Sequence, residues 1–248
     1  MSSLKTNEPA PMSGFPPFPA AALAQCGLNR QHVFDLAALP PAVSATLGDT
    51  APYRQLILLG HGGRRLWECV KAAGGASEHP IDDFTVRSIE RCFAEHLPGS
   101  RYRIAYPGEA PLGLQQLGAL AGWHHASPFM VGVDPDWGSW YAYRAVVLAD
   151  TRFQPFLAVD RASPCVGCAT EACIAACPGE ALAGGSFSLA RCAAFRLQPG
   201  SACTDTCQAR LACPVASVHR YDADQLRHTY SRSLRALREY FRTPAGPA

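Results

Sequence analysis

The stretch Cys165-Val166-Gly167-Cys168-Ala169-Thr170-Glu171-Ala172-Cys173-Ile174-Ala175-Ala176-Cys177-Pro178 decides how this chain is read. Four cysteines are packed into it, and a proline closes it. A second group, Cys192, Cys203, Cys207 and Cys213, follows and is closed by Pro214. Eight of the eleven cysteines in the chain thus fall between residues 165 and 213.

Closely spaced cysteines on a tight loop bring three thiolates to one point. A cysteine arriving from the other half of the motif supplies a fourth, and the proline after it turns the chain away. Two quartets, each ending in Cys-Pro, are the pattern that holds two 4Fe-4S clusters, with the last cysteine of each run serving the other cluster. The pattern predicts one set made of Cys165, Cys168, Cys173 and Cys213. The other is Cys177, Cys192, Cys203 and Cys207. The spacing departs from the common C-x2-C-x2-C-x3-C-P, because four residues, Ala169 to Ala172, fill the second gap. Structural zinc is the alternative, since C-x2-C is also a zinc spacing. Disulfides are the third reading, disfavoured because no secretory signal is legible.

Working outward, 248 residues suffice for one medium domain and a small one, and 48% hydrophobic residues can build a core. The formal net charge of +2 leads to the expectation of no nucleic-acid partner. No run of eighteen apolar residues occurs, so no membrane span is expected. Residues 1–19 read as a disordered arm, and the chain as cytoplasmic. Three units follow the arm: a domain over 20–155, a cysteine module over 156–221, and a C-terminal helix and tail over 222–248.

Within the first unit, Ala20 to Gly27 reads as a short helix, and Val33 to Leu36 as a strand or turn. Gln55 to Gly60 has the length of a buried central strand. His61-Gly62-Gly63 follows, a weak phosphate-loop candidate, and then a helix over Arg64 to Ala73. Phe84, Val86, Ile89, Phe93 and Leu97 mark a helix with Asp82 or Asp83 as N-cap. Arg101 to Tyr106 alternates as a strand does, and Leu112 to Ala121 reads as a helix. Phe129 to Val133 and Tyr141 to Asp150 read as the two arms of an antiparallel hairpin. The last helix, from Asp222 to Phe241, carries an apolar stripe and many arginines.

Gly122-Trp123, Asp134-Pro135-Asp136-Trp137-Gly138-Ser139-Trp140, Arg191-Cys192 and Cys207-Gln208 together resemble segments of the epoxyqueuosine reductase family. His79-Pro80-Ile81-Asp82 and Gly138-Ser139-Trp140-Tyr141-Ala142-Tyr143-Arg144 resemble segments of the cblC-type cobalamin-processing family. Both families, like reductive dehalogenases, have a nitroreductase-like fold that holds a cobalamin. The resemblance implies an α+β fold: a nitroreductase-like antiparallel sheet with flanking helices, plus a small two-cluster ferredoxin-like module. It implies cobalamin bound by Trp123, His124, Gly138, Ser139, Trp140 and Tyr141. It also implies catalytic roles for Asp82 and Arg144.

The chain departs from the reductases at Ile81-Asp82-Asp83-Phe84, which lacks their Asp-Tyr-His, and at His124-His125-Ala126. A transfer-RNA substrate is therefore not expected. Arg144 has a plain reading too, as a residue on the polar face of its strand. For His124 and His125 that plain reading is a loop role. Cys26, Cys69 and Cys92 read as small buried apolar residues. The expected function is iron-sulfur redox chemistry, with two 4Fe-4S clusters passing electrons to a bound cobalamin. The alternatives are a ferredoxin-type carrier without corrinoid and an epoxyqueuosine-reductase-like enzyme. Expected partners are an electron donor, such as a flavodoxin, ferredoxin or flavin reductase, and a cobalamin-dependent protein. The arginine-rich last helix could dock an acidic donor.

Overall fold

The computed structural model describes residues 15–74 and 77–242. The ends of the expected N-terminal arm and C-terminal tail lie outside the described residues. Four antiparallel strands form one sheet in the order β1-β2-β4-β3. They are β1 (Arg30–Asp35), β2 (Gln55–Gly62), β3 (Tyr102–Tyr106) and β4 (Tyr141–Ala149). The helices α1 (Ala20–Gln25), α2 (Pro41–Ser44), α3 (Arg65–Ala72), α4 (Pro80–His96) and α5 (Leu114–Leu120) flank it.

The central strand β2 is buried along its whole length. Successive side chains point to opposite faces, so its run of leucines and isoleucine serves two cores. Ile57 and Leu59 join Val33, Ala145 and Val147 under Leu23, Leu66, Val70, Ile89 and Phe93 of α1, α3 and α4. Leu56 and Leu58 join Val146 and Leu148 against Val43 of α2 and Leu117 of α5. The result is a three-layer α+β unit. Gly27 ends α1 with φ +85°, and a Cβ there would overlap the backbone of Leu66, so the turn between α1 and β1 lies directly on α3.

Two sequence expectations are corrected here. Phe129 to Val133 is not a strand. His125 and Val133 make an isolated bridge, and the hairpin partner of β4 is absent, because β2 and β3 already occupy both of its edges. The N-cap of α4 is His79, with Pro80 at the first helical position, where its missing N–H costs nothing. Asp82 and Asp83 sit in the first turn instead, still at the positive end of the helix.

One irregularity positions the site. The β2–β4 register breaks between Leu59 and Gly60: Leu59 opposes Ala145, and Gly60 opposes Tyr143. Arg144 is the extra residue, a β-bulge that reverses the alternation. Tyr143 therefore joins the face of Val146 and Leu148.

Beyond residue 150 the chain runs without regular structure to the cysteine stretch. It is pinned to the sheet by Phe153, which is buried, and by Gln55, whose amide donates to the Phe153 carbonyl at 2.7 Å. The cysteine region holds α6 (Ala172–Ala175), α7 (Leu189–Arg196) and α8 (Gln208–Ala212). The chain closes with α9 (Ala223–Arg242), which buries Leu226, Tyr230 and Leu234 and exposes most of its arginines. No described helix is long and apolar enough to cross a membrane.

Candidate functional site

All eleven cysteines are free thiols. Eight of them form two spatial groups. Burial pushes the Cys165 thiol up, and the neighbouring Cys213 and Cys168 push it further. Cys173 is raised in the same way, by burial and then by Cys213 and Cys165. Cys192 is raised by burial, opposed by Arg196, and raised again by Cys207, Cys177 and Cys203. The neighbourhoods are thus 165/168/173/213 and 177/192/203/207. Cys177 comes from the first run of sequence yet stands among the cysteines of the second. It lines one small cleft, about 40 Å³, with Cys192, Cys203 and Cys207. Among the described residues, no group of three or more His, Cys, Asp or Glu side chains is arranged to hold a metal ion.

The first group lies toward solvent. Val166, between two of its cysteines, is 80% exposed, and the Cys168 thiol is held below its usual range by Thr170 and by backbone N–H groups. Both groups pack against the loop before β4. Phe129 and Val133 are buried with Leu182, Ala209 and Cys213. The local cause of that loop is Asp134. One carboxylate oxygen accepts from the backbone N–H of Asp136 (2.8 Å) and of Trp137 (3.0 Å), forming an Asx-type turn. Its other oxygen accepts from Arg30 at 2.8 Å, and both side chains are buried. The Arg30 guanidinium is sandwiched between the rings of Trp123 and Tyr141, 4.6 Å from each.

The six residues expected to bind a cofactor are placed very differently. Trp123 lines an open cleft of about 290 Å³ with Arg30, His32, Asp134, Trp137 and Val159. His124 faces Tyr141: a Cβ added to Gly132 would meet both its Nδ1 and the Tyr141 hydroxyl. Burial lowers the His124 pKa, and His125 lowers it further. Gly138, with φ +59°, is pressed against the Val215 carbonyl, where a Cβ would overlap the oxygen. Ser139 is fully buried and accepts from Arg210 through its carbonyl and hydroxyl oxygens. Trp140 is fully buried with Tyr221, Leu226 and Tyr230. Tyr141 is buried over Arg30. Gly138 to Tyr141 therefore forms the seam between sheet and cysteine module, and its faces are already covered by the chain itself.

Asp82 and Arg144 do come together. They line a cleft of about 200 Å³ with His79, Tyr106, His228 and Arg232. Arg144 donates from Nε to His61 Nδ1 at 2.9 Å. Burial drives the His61 pKa well below its usual value, and Arg144, Arg210 and Arg30 lower it further, so the ring is neutral. Because Nδ1 accepts, the proton sits on Nε2, 3.4 Å from the Gln225 amide nitrogen; turning that amide over would bring its oxygen, which has no other partner, to the ring N–H. Tyr221 stacks on the same ring at 5.5 Å. His61-Gly62-Gly63 offers no phosphate cradle. The Gly62 N–H is taken by Asn29 (2.7 Å) and the Gly63 N–H by the Trp140 carbonyl (2.8 Å).

Sequence reasoning missed Arg30, Tyr221, Gln225 and Arg210. None lies in a periodic or spaced motif, apart from Arg210, three residues after Cys207. Of Cys26, Cys69 and Cys92, all expected to be buried, Cys92 is buried while Cys26 and Cys69 are partly exposed; burial raises the Cys69 and Cys92 thiols, and Cys26 raises both further.

No family model matches the chain, and no curated protein matches it. Solved structures do. An epoxyqueuosine reductase bound to an epoxyqueuosine-modified tRNA-Tyr stem loop matches 84% of this chain and 66% of its own, with 14% identity and a TM-score of 0.50. The Bacillus subtilis epoxyqueuosine reductase matches 82% and 66%, with 13% identity and a TM-score of 0.49. The C. elegans B12-trafficking protein CblC matches 88% and 92%, with 12% identity and a TM-score of 0.45. The chain spans a little under two thirds of the length of these reductases. The tRNA-bound neighbour overturns the expectation that nucleic acid is excluded. A near-neutral total does not report how charge is distributed, and α9 alone carries Arg227, Arg232, Arg235, Arg238 and Arg242. At this identity the likeness establishes the fold: the chain has an α+β fold shared with an epoxyqueuosine reductase.

Proposed function

We propose that the chain is an iron-sulfur redox protein in which two 4Fe-4S clusters carry electrons toward the sheet domain. Cys165, Cys168, Cys173 and Cys213 would hold one cluster. Cys177, Cys192, Cys203 and Cys207 would hold the other. The observation that carries this reading is the position of Cys177, which leaves its own run of sequence and shares a cleft with the second set. That exchange is what two-cluster ferredoxin motifs require. A sheltered cleft on which four thiols converge also suits a cluster better than an aqueous ion.

Cys207 packs with Trp140 and Tyr221, and Tyr221 stacks on His61, which binds Arg144. Electrons leaving the second cluster would meet this aromatic contact first. Asp82 and Arg144 would then act on whatever is bound in their cleft, Arg144 held in place by neutral His61.

The second reading makes a corrinoid the acceptor, supported by the resemblance of Gly138-Ser139-Trp140 to cobalamin-binding families. The fit is incomplete. Those residues are buried, and the cleft beside Trp123 and Trp137, at about 290 Å³, lies at the small end of ligand sites. A corrinoid is larger than that and would require the 154–161 segment to move. When bound it would supply a strongly nucleophilic reduced metal. This chain would contribute Trp123 and Trp137 as apolar walls.

The test is analytical. Anaerobically purified protein is expected to hold on the order of eight iron and eight sulfide per chain. Cys177→Ala is expected to remove the second cluster and spare the first, and Cys173→Ala to do the reverse. Stoichiometric zinc without sulfide would end the proposal. Titration with cob(II)alamin, read by its visible spectrum, decides the second reading separately.

A further inference from the structure

The two quartets differ in the charges around them. Arg196 and Arg210 flank the second quartet. Arg196, on α7, lines the cleft with all four cysteines and donates from Nε to the Cys203 carbonyl at 3.1 Å. Its other nitrogens go to Ser233 Oγ and the Tyr230 carbonyl, and its guanidinium lies 5.4 Å from the Tyr230 ring. Arg210, on α8, is only 5% exposed. It is held by Ser139 and by the rings of Trp140 (4.5 Å) and Tyr221 (4.9 Å), the rings that also pack with Cys207. No Asp or Glu side chain among the described residues pairs with either arginine. The nearest acid in sequence, Asp205, is at the surface and faces Arg227 at 3.9 Å.

A guanidinium buried without a carboxylate is costly unless something anionic stands beside it. The thiolate-bound cluster of the second quartet is the anion that would meet this need. The first quartet has the opposite surroundings. Its first run, from Cys165 to Cys177, holds one charged residue, the acid Glu171, and no arginine or lysine.

Reduction adds a negative charge to a cluster, so nearby cations favour the reduced form and nearby anions oppose it. Burial by itself would work against reduction of the second cluster. Arg210 is buried there and little screened, Arg196 stands half-buried at the edge of the cleft, and with both present the site is close to neutral before the electron arrives. The first cluster starts as a dianion beside a carboxylate.

Resting on the two-cluster reading, we infer that Arg196 and Arg210 hold the second quartet's cluster at the higher reduction potential. Electrons then run inward, from the solvent-facing quartet near Val166 to the quartet beside Tyr221. The step is one electron leaving the first cluster and one gained by the second, with no proton required.

The experiment starts from anaerobic full-length chain in which iron and sulfide have been counted. Absence of both ends the two-cluster reading and is recognised before any potential is measured. With both clusters present, a redox titration followed by EPR is run on wild type and on Cys168→Ala, which lacks the first cluster. The surviving cluster is expected to titrate at the higher of the two wild-type steps. If it titrates at the lower step, the inference is overturned. Arg196→Gln and Arg210→Gln are each expected to lower that step by about tenfold in the reduction equilibrium, about 59 mV for one electron, and to leave the other step in place. Arg196→Lys and Arg210→Lys keep the charge and are expected to restore most of the shift. Equal movement of both steps, or none with iron content intact, overturns the assignment. If a Gln variant loses its iron, the Cys168→Ala titration alone decides.

Discussion

The sheet domain and the cysteine module are built on different physics. The sheet buries apolar side chains on both faces, with Leu56, Leu58, Val146, Val147 and Leu148 almost wholly removed from water. Burial on that scale stabilises a domain by itself, at roughly 25 cal/mol per Å² of apolar surface. The module has three helices of four, eight and five residues and buries mainly small side chains, such as Ala181, Ala193 and Ala209. Segments of that size rarely build a sufficient core and commonly depend on a metal or a neighbouring surface. Here both supports are at hand: the seam at Gly138 to Tyr141, and the cysteine quartets. The contrast teaches that burial of a predicted cofactor residue can mean it holds two units together.

The seam is the place to break this contrast hardest. Trp140→Ala empties a fully buried site between the two units and should cost about 4 kcal/mol, seen as a fall in the urea midpoint. The variant should also bind iron less tightly, because Cys207 packs against the same cluster of rings. If stability falls by less than about 1 kcal/mol, the seam is not a structural element.

Gly138→Ala tests the same seam from the backbone side. A residue with a Cβ is strained at φ +59° and would overlap the Val215 carbonyl. The expected cost is about 3 kcal/mol. Limited proteolysis should then cut first between the sheet domain and the module, while the sheet stays protected.

Acid probes the sheet domain alone. Burial lowers the His32 pKa to about 4, so the folded state holds this ring neutral while the unfolded chain takes up a proton below about 6.5. Stability from this group is present above pH 6.5 and is lost as pH falls toward 4, by about 3 kcal/mol in total. His61, lowered in the same direction, adds to the slope. His32→Gln should flatten the dependence of the urea midpoint between pH 6.5 and 4, and an unchanged slope would contradict it.

The smallest effect belongs to the module's surface. Val166→Ser lies on an exposed loop and should change stability by less than about 0.5 kcal/mol. It should instead slow reduction by an external electron donor, if that donor meets the chain there, as stopped-flow traces would reveal.

Much of the fold was legible. The length and composition of Gln55 to Gly60 mark β2, the alternation at Arg101 to Tyr106 marks β3, and the stripe from Phe84 to Leu97 marks α4. The misreading of Phe129 to Val133 as a strand has a physical cause: a short apolar run reports burial, and this one is buried under Leu182 and Cys213 without any ladder. Asp82 and Arg144 were singled out through the resemblance of their segments to known families, and the structure sets both on one cleft. Arg30 and Arg210 were not, since each is anchored by residues 104 and 71 positions away.

By itself, then, the amino-acid order determined what repeats or clusters along the chain: the strands, the amphipathic helices and two quartets of cysteine. Such features depend on neighbours a few residues apart, which any local reading contains. Only the tertiary structure decided that the bulge at Arg144 turns Tyr143 to one face, and that Arg30 and Arg210 reach Asp134 and Ser139 far along the chain. It alone placed Trp140 inside a seam instead of on a cleft wall. These outcomes rest on which distant surfaces meet, and packing between elements far apart in sequence leaves no period to read.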